Sequence, residues 1–269
     1  MTHKITLKDT YKRAGLDQDK TVPPEETIQR FKENTEKIGI NILEKTQRID
    51  NGRLDIPVFF SICGHDAEAL TGTKKQMGKG PTPAQAEASA VMELAERYSF
   101  FSFYNTPGNF QVDTYENVKD QAIDFDLIAR SVHDDTDDQT AAAEIFARLP
   151  LKWTWGCNLT RDRAVLIPFD WFYTINEFNG TSADNCAEEA LSQGLCEIVE
   201  RHVSALVSRR RIKVPTIDTA GATDPFVLDM LAKYRRAGIT LHVSDFTLEM
   251  GIPTVAVLAY DPVTFPDKS

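Results

Sequence analysis

The chain has 269 residues, 42% of them hydrophobic, enough to bury a substantial core as one large domain or two packed halves. Its formal net charge of -10 gives no general attraction for a polyanion, and no basic stripe interleaved with aromatics appears, so nucleic acid is not an expected partner. The longest apolar stretches, such as Ile252 to Tyr260, fall short of the roughly 18 to 20 residues that span a bilayer, and the polar start Met1-Thr2-His3-Lys4 is no signal peptide.

Residues 1 to 22 read as a flexible N-terminus, and Pro23-Pro24-Glu25-Glu26-Thr27 opens a helix through about Lys37. Ile40 to Thr46 and Ile56 to Cys63 read as a hairpin ahead of a Gly78-Lys79-Gly80 loop and a helix. Tyr115 to Arg148 reads as helical at both ends, broken by the acidic surface loop His133 to Asp138. Trp153 to Asn158 and Ala164 to Pro168 read as strands, and Asn179-Gly180 leads into a second long helix. Asp224 to Ala237 then reads as an amphipathic helix, with strands at Leu241 to Phe246 and Thr254 to Tyr260. The expected fold class is mixed α/β with internal duplication: strand, glycine turn and long helix in each half.

The two long helices share a pattern. Glu93-Leu-Ala-Glu96-Arg97 lies near the end of one and Glu197-Ile-Val-Glu200-Arg201 near the end of the other. At about 100° per residue, Ser89, Glu93, Glu96 and Arg97 fall on one arc, opposite Val91, Leu94, Ala95 and Tyr98. Gln193, Glu197, Glu200 and Arg201 repeat that arc, extended one turn back by Glu189, with Leu191, Leu195, Ile198, Val199 and His202 as the apolar back. A single Glu and Arg at i, i+4 is an ordinary surface pair. Here two like-charged carboxylates at i, i+3 sit late in each helix, where the macrodipole disfavours them, and they do so twice. Clustered carboxylates call for a hard divalent cation such as Mg²⁺, which also takes phosphate oxygens, so a nucleotide is the natural partner. Lys20 and Lys79 are candidates for phosphate contacts. The cysteines Cys63, Cys157, Cys186 and Cys196 lack metal-ligand spacing and read as reduced thiols of a cytoplasmic protein.

The stretch Gly78-Lys79-Gly80 through Ser89-x-x-x-Glu93-x-x-Glu96-Arg97 resembles the first ATP-binding motif of the YcaO family. Asn179-Gly180-Thr181-Ser182-Ala183-Asp184-Asn185 through Glu189-x-x-x-Gln193-x-x-x-Glu197-x-x-Glu200-Arg201 resembles the second. The similarity runs from about Pro23 to the end. It implies a YcaO domain over 23–269, with halves of about 23–150 and 151–269, ATP and Mg²⁺ as cofactors, and ATP-dependent activation of a peptide backbone amide oxygen. The product would be a thioamide or an azoline in a ribosomally made peptide or protein.

On this resemblance Ser89, Glu93, Glu96, Gln193, Glu197, Glu200 and Arg201 are the expected nucleotide and metal residues, joined by Arg97, Glu189 and Lys79. Glu93, Glu96, Glu197 and Glu200 form the expected metal set, with no catalytic base assigned. A homodimer and a sulfur-delivery or leader-recognition partner are expected. A third family motif, Arg-x-x-x-Glu, is missing before Ser269, so the chain is expected to be C-terminally truncated, a fragment or a degenerate member, for which nucleotide binding without turnover is a further alternative. Three readings stay open at this level: an amide-modifying enzyme, an accessory factor for methylthiolation of a ribosomal protein, and a carboxylate-rich domain without nucleotide.

Overall fold

The computed structural model describes residues 5–13, 20–132 and 139–264; the acidic loop 133–138 lies outside them. The described residues form two compact units, one from those within 5–9 and 99–179, the other from those within 10–98 and 180–264.

In the larger unit, α1 (Pro24–Lys37) begins with proline at its first helical position, where the missing N–H costs nothing. Strands β1 (Leu43–Arg48), β2 (Val58–Cys63) and β3 (Lys75–Lys79) form an antiparallel sheet in that order, with α2 (His65–Thr71) between β2 and β3. Helix α3 (Pro83–Tyr104) contributes its residues up to Tyr98. Its predicted apolar face is buried: Val91 and Leu94 are fully enclosed, Leu94 among Ile42, Cys63 and Ala67, and Val91 beside Ile28 and Ala88. The hairpin expected from the alternation is therefore the β1–β2 pair. Neither α2 nor β3 is signalled by period, because seven and five residues are too few to show one.

The second long helix of this unit, α8 (Ala187–Arg210), departs from expectation. Its buried positions are Gly194, Val199 and Val203, whereas Leu195 and Ile198 are 54% and 51% exposed and His202 is exposed. Of the predicted apolar back only Val199 is buried, and the other buried positions, Gly194 and Val203, flank that stripe. After it come α9 (Pro225–Arg236), capped by Asp224, whose carboxylate accepts from the Phe226 and Val227 amides, and the antiparallel pair β7 (Thr240–Asp245) and β8 (Val255–Tyr260). Among the described residues no helix is long and apolar enough to cross a membrane.

The smaller unit is built on the antiparallel sheet β4 (Gln111–Asp113), β5 (Leu151–Asn158) and β6 (Arg163–Pro168). Helices α4 (Tyr115–Val118), α5 (Phe125–Ala129), α6 (Gln139–Arg148) and α7 (Phe169–Asn176) accompany it. Val118, Ile128, Phe146, Trp153 and Leu166 form its core. Trp153 is fully buried, and its indole N–H donates to the Asp113 carbonyl at 2.9 Å, so the ring enters the core without stranding a donor. The α7 helix separates β6 from the Asn179-Gly180 turn, so strand and glycine turn are not adjacent here as they are before α3.

Candidate functional site

All residues of the candidate site belong to the larger unit. Its base is the contact between β3 and α3. Gly78 and Lys79, expected in a loop, lie in β3. A Cβ on Gly78 would fall on the backbone of Ala86 and Ala90 in α3, so strand and helix meet backbone to backbone and only glycine fits. From the neighbouring strand the buried Ser61 hydroxyl donates to the Ala90 carbonyl at 2.7 Å. The glycines here serve close packing, which carries the chain straight from Lys79 and Gly80 into α3.

The lead-in to α8 reaches the same place from the other side. Gly180 adopts φ +86, a conformation that disfavours side-chain-bearing residues, and its N–H donates to Glu197 at 3.0 Å. A Cβ on Gly194 would stand 2.5 Å from the Gly180 carbonyl, so the loop lies directly on α8. The next hydroxyl, of Thr181, donates to Glu96 on α3 at 2.6 Å. The turn thereby links a carboxylate of each motif: Glu197 through Gly180 and Glu96 through Thr181.

Glu96 is the most perturbed of these groups. Burial pushes its carboxyl up to about 7, and the nearby charges of Glu93 and Glu197 push the same way; the Thr181 hydroxyl and Arg97 oppose them. Arg97 pairs with Glu93 at 2.7 Å and with Glu96 at 3.1 Å, so it ties its own motif together. On α8 the exposed Arg201 pairs with Glu197 at 3.2 Å.

A cavity of about 330 Å³ opens here, lined by Lys79, Ser89, Met92, Glu93 and Glu96 from β3, α3 and the turn between them, and by Asp184, Asn185 and Gln193 from α8 and its lead-in. Lys20, Val22, Pro23 and Pro24 close another side. Of the residues expected from the sequence, Lys79, Ser89, Glu93, Glu96 and Gln193 line this cavity. Arg97 and Glu197 pair with or lie beside its carboxylates. Glu200 and Arg201 are exposed and outside its lining, and Glu189 borders a second, neighbouring cavity with Lys12, Ser192 and Cys196. Sequence reasoning assigned no role to Asp184, Asn185 or Val22 to Pro24. The sequence places Asp184 and Asn185 in the α8 lead-in, but their fold partners at positions 20 to 27 are too distant to suggest themselves.

Among the described residues no three His, Cys, Asp or Glu side chains are grouped to hold a metal by themselves. Mg²⁺ typically needs no such cage, since one or two carboxylates suffice when waters and phosphate oxygens complete its shell. A carboxyl pushed up chiefly by burial, with the charges of Glu93 and Glu197 adding to the push, fits a cation of that kind, because a divalent ion would offset both the desolvation of the charge and the repulsion.

The model of the YcaO cyclodehydratase family, described as ATP- and Mg²⁺-binding, matches residues 77–268. The chain belongs to the YcaO family. This YcaO chain is 28% identical over 90% of its length to an uncharacterised protein of Methanothermobacter thermautotrophicus, of which the match covers 61%. It is 27% identical over 88% of its length to the Escherichia coli ribosomal protein S12 methylthiotransferase accessory factor YcaO, covering 43% of that protein. It thus spans about three fifths or less of these relatives' lengths. The fold matches a heterocyclase solved in complex with substrate and cofactor, at TM-score 0.72 and 22% identity, over 96% of this chain and 38% of the other. It also matches YcaO from Methanopyrus kandleri bound with AMPPCP and Mg²⁺, at TM-score 0.52 and 20% identity, over 91% and 63%. These likenesses establish the mixed α/β YcaO fold.

Proposed function

We propose that the cavity between α3 and the α8 lead-in takes Mg-ATP and that the protein activates a peptide backbone amide by phosphorylating its oxygen, giving a thioamide or an azoline. The observation that carries the reading is the buried Glu96 carboxyl, raised towards neutrality beside Glu93 and Glu197 at the wall of a cavity that also presents Ser89, Gln193 and Lys79. The relative names support the same direction: a nucleotide analogue with Mg²⁺ in one YcaO structure and substrate with cofactor in the heterocyclase.

In this reading Glu93 and Glu96, the two glutamates in the cavity lining, would hold the metal, while Glu197 is engaged by the Gly180 N–H and Arg201 and Glu200 lies outside the lining. Ser89, Gln193 and Lys79 supply hydrogen bonds and positive charge to the nucleotide. Arg97 would hold Glu93 and Glu96 in place, a role its two ion pairs support. Bound Mg²⁺ supplies neutralisation of the phosphate charge. An amide oxygen leaves poorly, and its phosphate ester leaves well. A nucleophile, either a side chain of the peptide or external sulfide, adds to the carbonyl carbon and gives up a proton; the oxygen takes the γ-phosphoryl group of ATP, releasing ADP; and phosphate departs as the C–O bond breaks, with loss of the amide N–H proton to form C=N in an azoline or of the S–H proton to form C=S in a thioamide.

Isothermal titration with Mg-ATP tests the site: Glu93→Ala and Glu197→Ala should each weaken binding at least about thirty-fold, by analogy with removal of a buried charge partner. Wild-type affinity in both variants would sink the assignment. Mass spectrometry of a peptide substrate, reading ATP-dependent loss of water or replacement of oxygen by sulfur, tests the chemistry. A second reading, a non-catalytic accessory factor in methylthiolation of ribosomal protein S12, is favoured by the name of the Escherichia coli relative. ATP binding with neither mass change would put it first.

A further inference from the structure

We propose that Asp184 and Glu189 are positioning residues that hold the Lys20–Pro24 segment as one wall of the nucleotide cavity; the inference rests on the Mg-ATP reading above. Both carboxylates are already engaged by groups of the protein. Asp184 lies almost buried, at 7% side-chain exposure; one oxygen is ion-paired with the Lys20 ammonium and the other accepts the Asn185 N–H at 3.0 Å. Glu189 takes the Thr21 N–H on one oxygen at 2.5 Å and the Asn185 side-chain amide on the other at 3.2 Å. Asn185 in turn accepts from the Thr27 hydroxyl at 2.8 Å. Three bonds therefore run from residues 20 to 27 onto residues 184 to 189, bracketing Val22, Pro23 and Pro24, which line the cavity.

Glu189 itself does not line that cavity; it borders the neighbouring one. A carboxylate whose two oxygens bind a backbone amide and a side-chain amide acts on the cavity through the segment it holds. The same holds for Asp184, whose near-burial makes the Lys20 ammonium its necessary counter-charge. Lys20 is thereby fixed at the rim with its charge partly compensated, and the apolar Val22-Pro23-Pro24 surface is presented inward. Pro23 and Pro24 have restricted φ, so once the two ends are held the wall has few alternative shapes.

The test separates a positioning carboxylate from a metal ligand. Glu189→Gln keeps one oxygen to accept the Thr21 N–H and gives up the charge and the acceptor facing the Asn185 side-chain amide; Glu189→Ala removes both acceptors and the charge. Mg-ATP titration should show affinity within about three-fold of wild type for Glu189→Gln and about ten-fold weaker for Glu189→Ala, the scale of one lost buried hydrogen bond. An equal, large loss in both variants would overturn the inference, since a metal ligand needs the charge. Lys20→Met, Asp184→Asn and the double variant form a cycle on the same titration: coupling between the two supports the latch, and strict additivity overturns it. Hydrogen exchange of the unliganded protein reads the wall without any nucleotide: the Thr21 amide should exchange at least about ten-fold faster in Glu189→Ala and stay protected in Glu189→Gln. If the wild type binds no Mg-ATP, the functional reading falls and this exchange result alone decides the wall. Unchanged exchange in Glu189→Ala would remove the wall as well.

Discussion

Replacing Glu96 with Gln should stabilise the unliganded protein, increasingly so as pH rises. In the folded chain this carboxyl is pushed from its ordinary 4.5 up to about 7, so the fold binds a proton more tightly than the unfolded chain does. The sign follows from linkage: where the native state holds more protons, stability falls as pH rises. The loss begins as pH passes 4.5, where the unfolded group ionises, and is complete once pH exceeds about 7. At about 1.4 kcal/mol per pKa unit, the ceiling is about 3 kcal/mol, with about 1 kcal/mol already expressed at pH 5. Glu96 is only 12% exposed at its side chain, so solvent screening does little to reduce this. A Gln at the position still accepts from Thr181 through its amide oxygen but loses the charge that Arg97 pairs with. The attraction of Arg97 grows as Glu96 ionises and is already contained in the raised value, so it adds no separate slope, and Arg97 keeps Glu93 as a partner. The diagnostic quantity is therefore the slope. Urea unfolding of both proteins at pH 5, 6, 7 and 8 should show the difference in favour of Glu96→Gln widening by about 2 kcal/mol across the series. A constant difference, or one that narrows with pH, would refute the account of Glu96 as a buried carboxyl crowded by like charges.

Gly78→Ala should cost more than about 3 kcal/mol or abolish folding, because the new methyl meets the backbone of α3 and neither element can yield cheaply; thermal melting checks it, and a loss under about 1 kcal/mol would mean that strand and helix are not in backbone contact. Gly194→Ala should push the Gly180 carbonyl off α8 and so separate the Glu197 and Glu96 bonds, lowering Mg-ATP affinity together with stability; intact affinity would show that the turn does not set the carboxylates. Trp153→Phe in the smaller unit should destabilise by about 1 to 3 kcal/mol through the stranded Asp113 carbonyl and the smaller ring, read by denaturant unfolding.

Much of the candidate site is legible in the sequence because its pattern is local. The spacing of Glu93, Glu96 and Arg97 puts them on one face of α3, and the opposite face, Val91 and Leu94, is buried as the period demands. The second helix departs from its period: the pattern assigns burial to Leu195 and Ile198, but α8 is buried at Gly194 on one side and at Val199 and Val203 on another, and the stripe between them is half exposed. Gly78 and Gly80 carried a similar ambiguity. A glycine pair before a helix suits a turn, an anion loop or a close backbone approach, and only the position of Ala86 and Ala90 decides for the last. The wall at Lys20 to Pro24 could not be read at all, since its partners lie more than 150 residues away and the bonds are made by side chains of ordinary surface type.

The two sides of the cavity are unlike in their response to heat. The β3–α3 side is backbone set against backbone, with a buried serine bonded across it, and it can open only when the sheet itself does. The Lys20–Pro24 side hangs on three polar contacts of side chains. Warming should therefore loosen the second well before the first, so that ligand affinity declines over a range of temperature in which circular dichroism still reports a folded protein. Inactivation and denaturation would be two events, separated in temperature by how differently the two walls are fastened.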